Sequence, residues 1–250
     1  MKLKQIVTAC ALASAAAFTQ ASPIVWQDFS LTGLYGENYE VGTEDRTTIT
    51  AEYAAKLKYS DVFFFVDQQM DGNDNQSTYF ELAPRLSLGE VAGTDLSFGP
   101  IKDVLIATTW EHNAGYDSHN REFNNFLYGV GFALDIPYTQ YANINFYKVD
   151  NDSKSPFTKD DYQMTITYAV PFKLGSEDFL VDAFLDWSTA EKGAQASELN
   201  WTSQYKWNVG KHISPKTKLY VGVEHSVWNN KFGIKDVDQN DVSALVKYHF

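Results

Sequence analysis

Tyr79, Glu81 and Arg85 stand at even spacings along one stretch of the sequence, and Asp182, Phe184 and Asp186 do so along another. In an extended chain side chains alternate with a period of two, so each set would share one face. A ring beside carboxylates offers a stacking surface and hydrogen-bond acceptors to one solute. Asn143, Asn145 and Tyr147 repeat the mixture, as do Tyr220 and Glu224, and Glu111 and Lys206 extend it. Such a set binds rather than reacts, and it suits a flat, polar, hydrogen-bonding solute. No cofactor is expected.

Two other patterns suggest chemistry and lead elsewhere. His212-Ile213-Ser214 has the two-residue Ser/His spacing of a strand-borne ester hydrolase, which keeps an outer-membrane lipase open as an alternative. Gly210 and Pro215 flank it, so a turn histidine is expected there, with no catalytic residue. Asp71-Gly72-Asn73-Asp74-Asn75 begins like a calcium loop, but Gln76 stands where the glycine belongs and Leu82 where the bidentate glutamate belongs. A solvated loop without a resident metal is expected, with calcium bridging to lipopolysaccharide phosphates left open.

Strands must position these faces. Lys2, Lys4, an apolar run from Ile6 to Phe18 and the small residues around Ala21 mark residues 1–21 as a cleaved secretory signal, leaving 22–250 as one domain. Cys10 is the only cysteine, so the exported part has no disulfide. The 32 acidic against 20 basic residues argue against a nucleic-acid partner, which wants a basic footprint. Beyond the signal no apolar run approaches the roughly 20 residues of a spanning helix. Aromatics are nonetheless 15% of the chain, and alternation recurs throughout it. Tyr162, Met164, Ile166, Tyr168 and Val170 interleave with Gln163, Thr165, Thr167 and Ala169.

Strands are expected at 26–35, 46–55, 62–70, 78–88, 101–112, 125–136, 141–150, 161–172, 179–189, 199–209, 217–228 and 241–250. Their even number and their lengths suit a transmembrane antiparallel up-and-down β-barrel in the outer membrane of a Gram-negative bacterium. Polar connections alternate with mostly shorter ones, as such barrels require, with 89–100 the long exception. In 62–70 the phase is unreadable, because Val62 to Val66 is apolar throughout. The last strand turns Val242, Ala244, Val246, Tyr248 and Phe250 to one face. A strand of outward apolar residues ending in Phe resembles the C-terminal signal by which bacterial outer-membrane barrels are recognised by the assembly machinery, a role the resemblance implies for Tyr248 and Phe250.

Twelve strands about 4.8 Å apart at roughly 40° tilt enclose a backbone radius of about 12 Å, which side chains narrow to a passage on the order of 10 Å. The inward charges either line that passage or cancel in a plugged interior, which would make the chain a surface receptor or adhesin.

Leu34-Tyr35-Gly36-Glu37-Asn38-Tyr39, Leu96 to Leu105, Tyr128-Gly129-Val130-Gly131-Phe132, Phe184-Leu185-Asp186-Trp187, Tyr220 to Glu224 and Trp228 to Lys235 resemble, in order, segments of the Tsx/OmpK family of outer-membrane channels, the OmpK branch more closely. The resemblance implies a monomeric twelve-stranded barrel, a narrow channel for nucleosides and outer loops that serve as bacteriophage receptors.

Overall fold

The computed structural model describes residues 24–72, 75–115, 122–151, 161–190 and 195–250. Residues 1–21, expected from the sequence to be a signal and containing Cys10, lie outside these residues, as do Asn73 and Asp74. Twelve antiparallel strands close into one barrel. They are β1 (Ile24–Glu37), β2 (Arg46–Leu57), β3 (Ser60–Asp71), β4 (Gln76–Ser87), β5 (Ile101–Gly115), β6 (Phe123–Leu134), β7 (Tyr141–Asn151), β8 (Asp161–Leu174), β9 (Glu177–Ser188), β10 (Glu198–Asn208), β11 (Lys218–Asn229) and β12 (Gln239–His249). Each matches an expected strand, with ends displaced by a few residues. β1 closes on β12 from Ser30↔His249 to Glu37↔Val242, which leaves no free sheet edge in the membrane.

Alternation sorts the faces. On β12 Val242, Val246 and Tyr248 are exposed outward, whereas Asp241, Ser243, Leu245 and Lys247 are buried. Exposed rings gather toward both ends of the outer wall: Tyr35, Trp110, Tyr162, Trp187 and Trp201 at one, and Phe29, Phe172, Trp207, Tyr248 and Phe250 at the other. Ile49, Val130, Val223 and Val246 lie between them, the apolar band and aromatic girdles of a bilayer-spanning barrel.

Pro84 sits inside β4 and has no N–H for the ladder with β5. Its carbonyl instead accepts the Thr108 hydroxyl at 2.9 Å, and the register continues on both sides. The long connection after β4 has a structure that alternation gave no reason to expect. A short helix, α1 (Leu88–Ala92), is capped by Ser87 Oγ, which accepts from the Glu90 N–H at 3.1 Å. Gly93 ends it in the left-handed region. Farther along, the Ser97 backbone N–H donates to Asp95 at 2.8 Å and holds that carboxyl below its ordinary range.

Followed once round the wall, the pairing climbs by about 16 residues, which gives a tilt of roughly 40° and a backbone radius of about 12–13 Å.

Candidate functional site

The site is the lumen. All of Tyr79, Glu81, Arg85, Glu111, Tyr147, Asp182, Phe184, Asp186, Lys206, Tyr220 and Glu224 stand on inward-facing positions, and the register places them at two levels.

The mouth that holds both chain ends and most of the shorter connections is taken as the periplasmic one. At the level nearer it, carboxylates meet cations. Arg85 grips Asp61 with two bonds, Nε to Oδ1 at 2.8 Å and Nη2 to Oδ2 at 3.0 Å. Its Nη1 reaches Asn145 Oδ1 at 3.5 Å, three strands away. Ala107 and Gly131 keep the wall low along that reach; a Cβ on Gly131 would come within 2.4 Å of Asn145 Oδ1. Lys206 pairs with Asp182, and Lys247 with Glu52. Both lysines are nearly sealed, at 2% and 3% exposure. Ser30 and Thr32 each donate to Glu52 at 3.3 Å, which answers its remaining lone pairs. His249 Nδ1 meets Asp28 at 2.6 Å, and the Tyr220 ring stands edge-on to His249 at 5.5 Å.

Roughly 10 Å farther out along the axis, carboxylates meet neutral donors instead. Tyr79 donates to Glu81 at 2.5 Å, Asn125 to Glu111 at 2.8 Å, and Thr165 to Asp186 at 2.5 Å. Thr50 donates to Asp67 at 2.6 Å and Gln204 to Glu224 at 2.8 Å. Glu81 and Glu111 are direct cross-strand partners, a like-charge pair that a sheet tolerates poorly unless something compensates. Among the described residues none of these five carboxylates has a lysine or arginine at ion-pair distance, in contrast to Asp61, Asp182 and Glu52.

Rings connect the two levels. Phe63, Phe65, Tyr79 and Phe123 form a ladder with centroid spacings of 5.8, 5.7 and 6.2 Å. Phe65 lies on β3 and Phe184 on β9, half the ring apart, so they stand on opposite walls at nearly the same height. The gap between their rings is on the order of 10 Å for a barrel of this radius.

The sequence reading did not place Phe63, Phe65, Asp61, Asp67, Glu52 or Lys247 in the site. The signal for β3 was present: Asp61 and Asp67 are an even number of residues apart. Charges shun the lipid face, so their phase carries Phe63 and Phe65 inward. Tyr147 needs the opposite correction. It is inward but only 5% exposed, packed with Ala107, Leu127 and Val149, so its ring belongs to the wall and offers no free face.

Of the other patterns, His212 Nε2 meets Glu177 at 2.9 Å, while Ser214 Oγ accepts from the Lys216 N–H at 3.3 Å. Asp71 accepts from both the backbone and the side chain of Asn75, at 3.0 and 2.9 Å, closing its own loop.

Residues 21–250 match the family described as nucleoside-specific channel-forming protein, Tsx. The chain is 22% identical over 243 residues to outer membrane protein OmpK of Vibrio parahaemolyticus, covering 89% of this chain and 84% of that one. It is 23% identical over 210 residues to nucleoside-specific channel-forming protein Tsx of Klebsiella aerogenes, covering 77% and 68%. Among solved structures the KdgM porin superposes with a TM-score of 0.49 at 10% identity, over 88% of this chain and 99% of that one. The chain therefore belongs to the Tsx family of channel-forming proteins, and its barrel is an outer-membrane channel for small solutes.

Proposed function

We propose that the channel conducts nucleosides and excludes nucleotides. The observation that carries this reading is the opposed pair Phe65 and Phe184, set beneath the carboxylates held by neutral donors. A base entering between them stacks on a ring, and base–aromatic stacking contributes about 1–3 kcal/mol in nucleic-acid complexes. Ribose hydroxyls and exocyclic amines donate to Glu81, Glu111 and Asp186 in place of the Tyr79, Asn125 and Thr165 donors. That exchange swaps one neutral donor on each carboxylate for another, so binding is weak enough for release, as conduction requires. A phosphate meets repulsion from the same carboxylates across a low-dielectric lumen. Arg85 and Lys206, already paired, do not attract it.

The test is current block in a planar bilayer by adenosine, thymidine and their monophosphates, on wild type and on Phe184→Ala and Asp186→Ala. Nucleosides are expected to block and monophosphates not to, with block weakened in both variants. Equal block by all four compounds, unchanged in the variants, rejects the reading.

We further propose that the protein is a passive monomer without catalytic activity and that residues 1–21 are removed on export. Lipopolysaccharide surrounds the outer rim, and the outer loops are open to bacteriophage. Phe250 would serve recognition by the assembly machinery, because it is exposed beside Tyr248 and its N–H ties to the Phe29 carbonyl at 2.9 Å where the barrel closes. Phe250→Lys is expected to reduce the heat-modifiable folded form in outer-membrane fractions; wild-type amounts would refute that role.

A further inference from the structure

The connections 38–45 and 230–238 flank the closing strands on the outer side, and both turn into the barrel. Their anchors are inward-facing residues of the wall. Tyr39 Oη lies 3.0 Å from Ser243 Oγ, and Ser243 is fully buried. The Glu40 N–H donates to Gln239 Oε1 at 3.3 Å, and Lys231 Nζ donates to the same oxygen. The Gly233 N–H donates to Glu198 at 3.1 Å, as does Trp228 Nε1 at 3.2 Å. Lys231 is 2% exposed, with its ammonium 4.7 Å from the Trp228 ring centre, 5.3 Å from Phe232 and 5.7 Å from Tyr39. The Arg46 guanidinium covers the Tyr39 ring at 4.4 Å.

Two backbone features show that this insertion is built in. Gly36 lies directly under it: a Cβ there would come within 2.1 Å of Ser243 Oγ and 3.1 Å of the Tyr39 ring. Asn38, Asn230, Phe232 and Asp236 all hold positive φ, at 75°, 49°, 59° and 63°. Asn and Asp enter that region readily, but a bulky ring does so at a cost, and Phe232 is held there between the Lys231 ammonium and the Trp228 ring.

We propose that these two connections form a fixed size filter inside the outer mouth, closed on Tyr39 and Lys231, which sets the largest solute the channel admits. Solutes pass between the inserted loops and the opposite wall, so selection by size precedes contact with the carboxylates and rings below. The inference rests on the chain's being a channel and is independent of which solute it prefers.

The test uses folded full-length protein in planar bilayers and in liposomes swelling in uncharged sugars of increasing size. Tyr39→Ala is expected to raise single-channel conductance about twofold, since a passage on the order of 10 Å gains the cross-section of a ring, and to admit sugars that wild type excludes. Tyr39→Phe keeps the ring and should keep the exclusion limit. Conductance and exclusion unchanged in Tyr39→Ala overturn the proposal. A second readout guards against misfolding: Ser243→Cys should react slowly with a membrane-impermeant thiol reagent, and quickly when Tyr39→Ala is added. Equal rates in the two backgrounds also overturn it. The sugars carry no base, so failure of nucleoside block would leave these results standing.

Discussion

The two levels of the lumen hold similar carboxylates in different ways. Near the periplasm Asp61, Asp182 and Glu52 are each paired with Arg85, Lys206 or Lys247. Farther out Glu81, Glu111, Asp186, Asp67 and Glu224 take only hydroxyl, phenol or amide donors. A buried ion pair is costly to form and costlier to break, so the inner level fixes the wall and cancels its own field. A neutral donor can be replaced by a similar group on a solute at little net cost. On the proposed reading the same residue type is structural at one height and open to a solute at the other, and the partner decides which.

The comparison fails most visibly if the inner pairs prove dispensable. Lys206→Ala would leave the half-buried Asp182 without its cation and is expected to cost about 3 kcal/mol, the low end for a buried pair. The readout is the urea midpoint of the folded barrel in detergent. Glu111→Gln in the outer level, which removes a charge that has no cation, should leave the midpoint within about 1 kcal/mol of wild type or raise it. Equal losses in the two variants would erase the distinction.

A smaller effect separates rings that are free from rings that are covered. Phe65→Ala should weaken nucleoside block by about 1–3 kcal/mol, or roughly five- to 150-fold, whereas Tyr147→Phe should leave it unchanged. Smaller still is the expected change in ion preference. Glu81→Gln with Glu111→Gln should move the reversal potential in a salt gradient toward that of a non-selective pore. Asp61→Asn, which releases Arg85 from its pair, should also lower cation preference, by exposing a positive charge.

Much of this arrangement was legible in the sequence, because a barrel in lipid forces strict alternation and alternation can be counted. The phase of β12 followed from Val242 to Phe250, and that of β8 from Tyr162 to Val170. β3 was opaque because its lumen face carries Phe63 and Phe65 while its lipid face carries Val62, Phe64 and Val66, so hydrophobicity alone could not distinguish them. Partners across strands were equally hidden. Nothing local to Lys247 points to Glu52, nor anything near Lys206 to Asp182, since a partner is set by the register of the closed ring. The insertion of Tyr39 was unreadable for the same reason: its contact, Ser243, lies at the other end of the chain. α1 left no periodic trace because five residues make little more than one turn.

The uneven pairing of charge along the axis has an electrical consequence. A pore whose fixed negative charge is uncompensated toward one mouth and neutralised toward the other accumulates cations unequally under opposite voltages. Its current should therefore rectify, and the sense of the asymmetry would report which way each molecule has inserted into a planar bilayer.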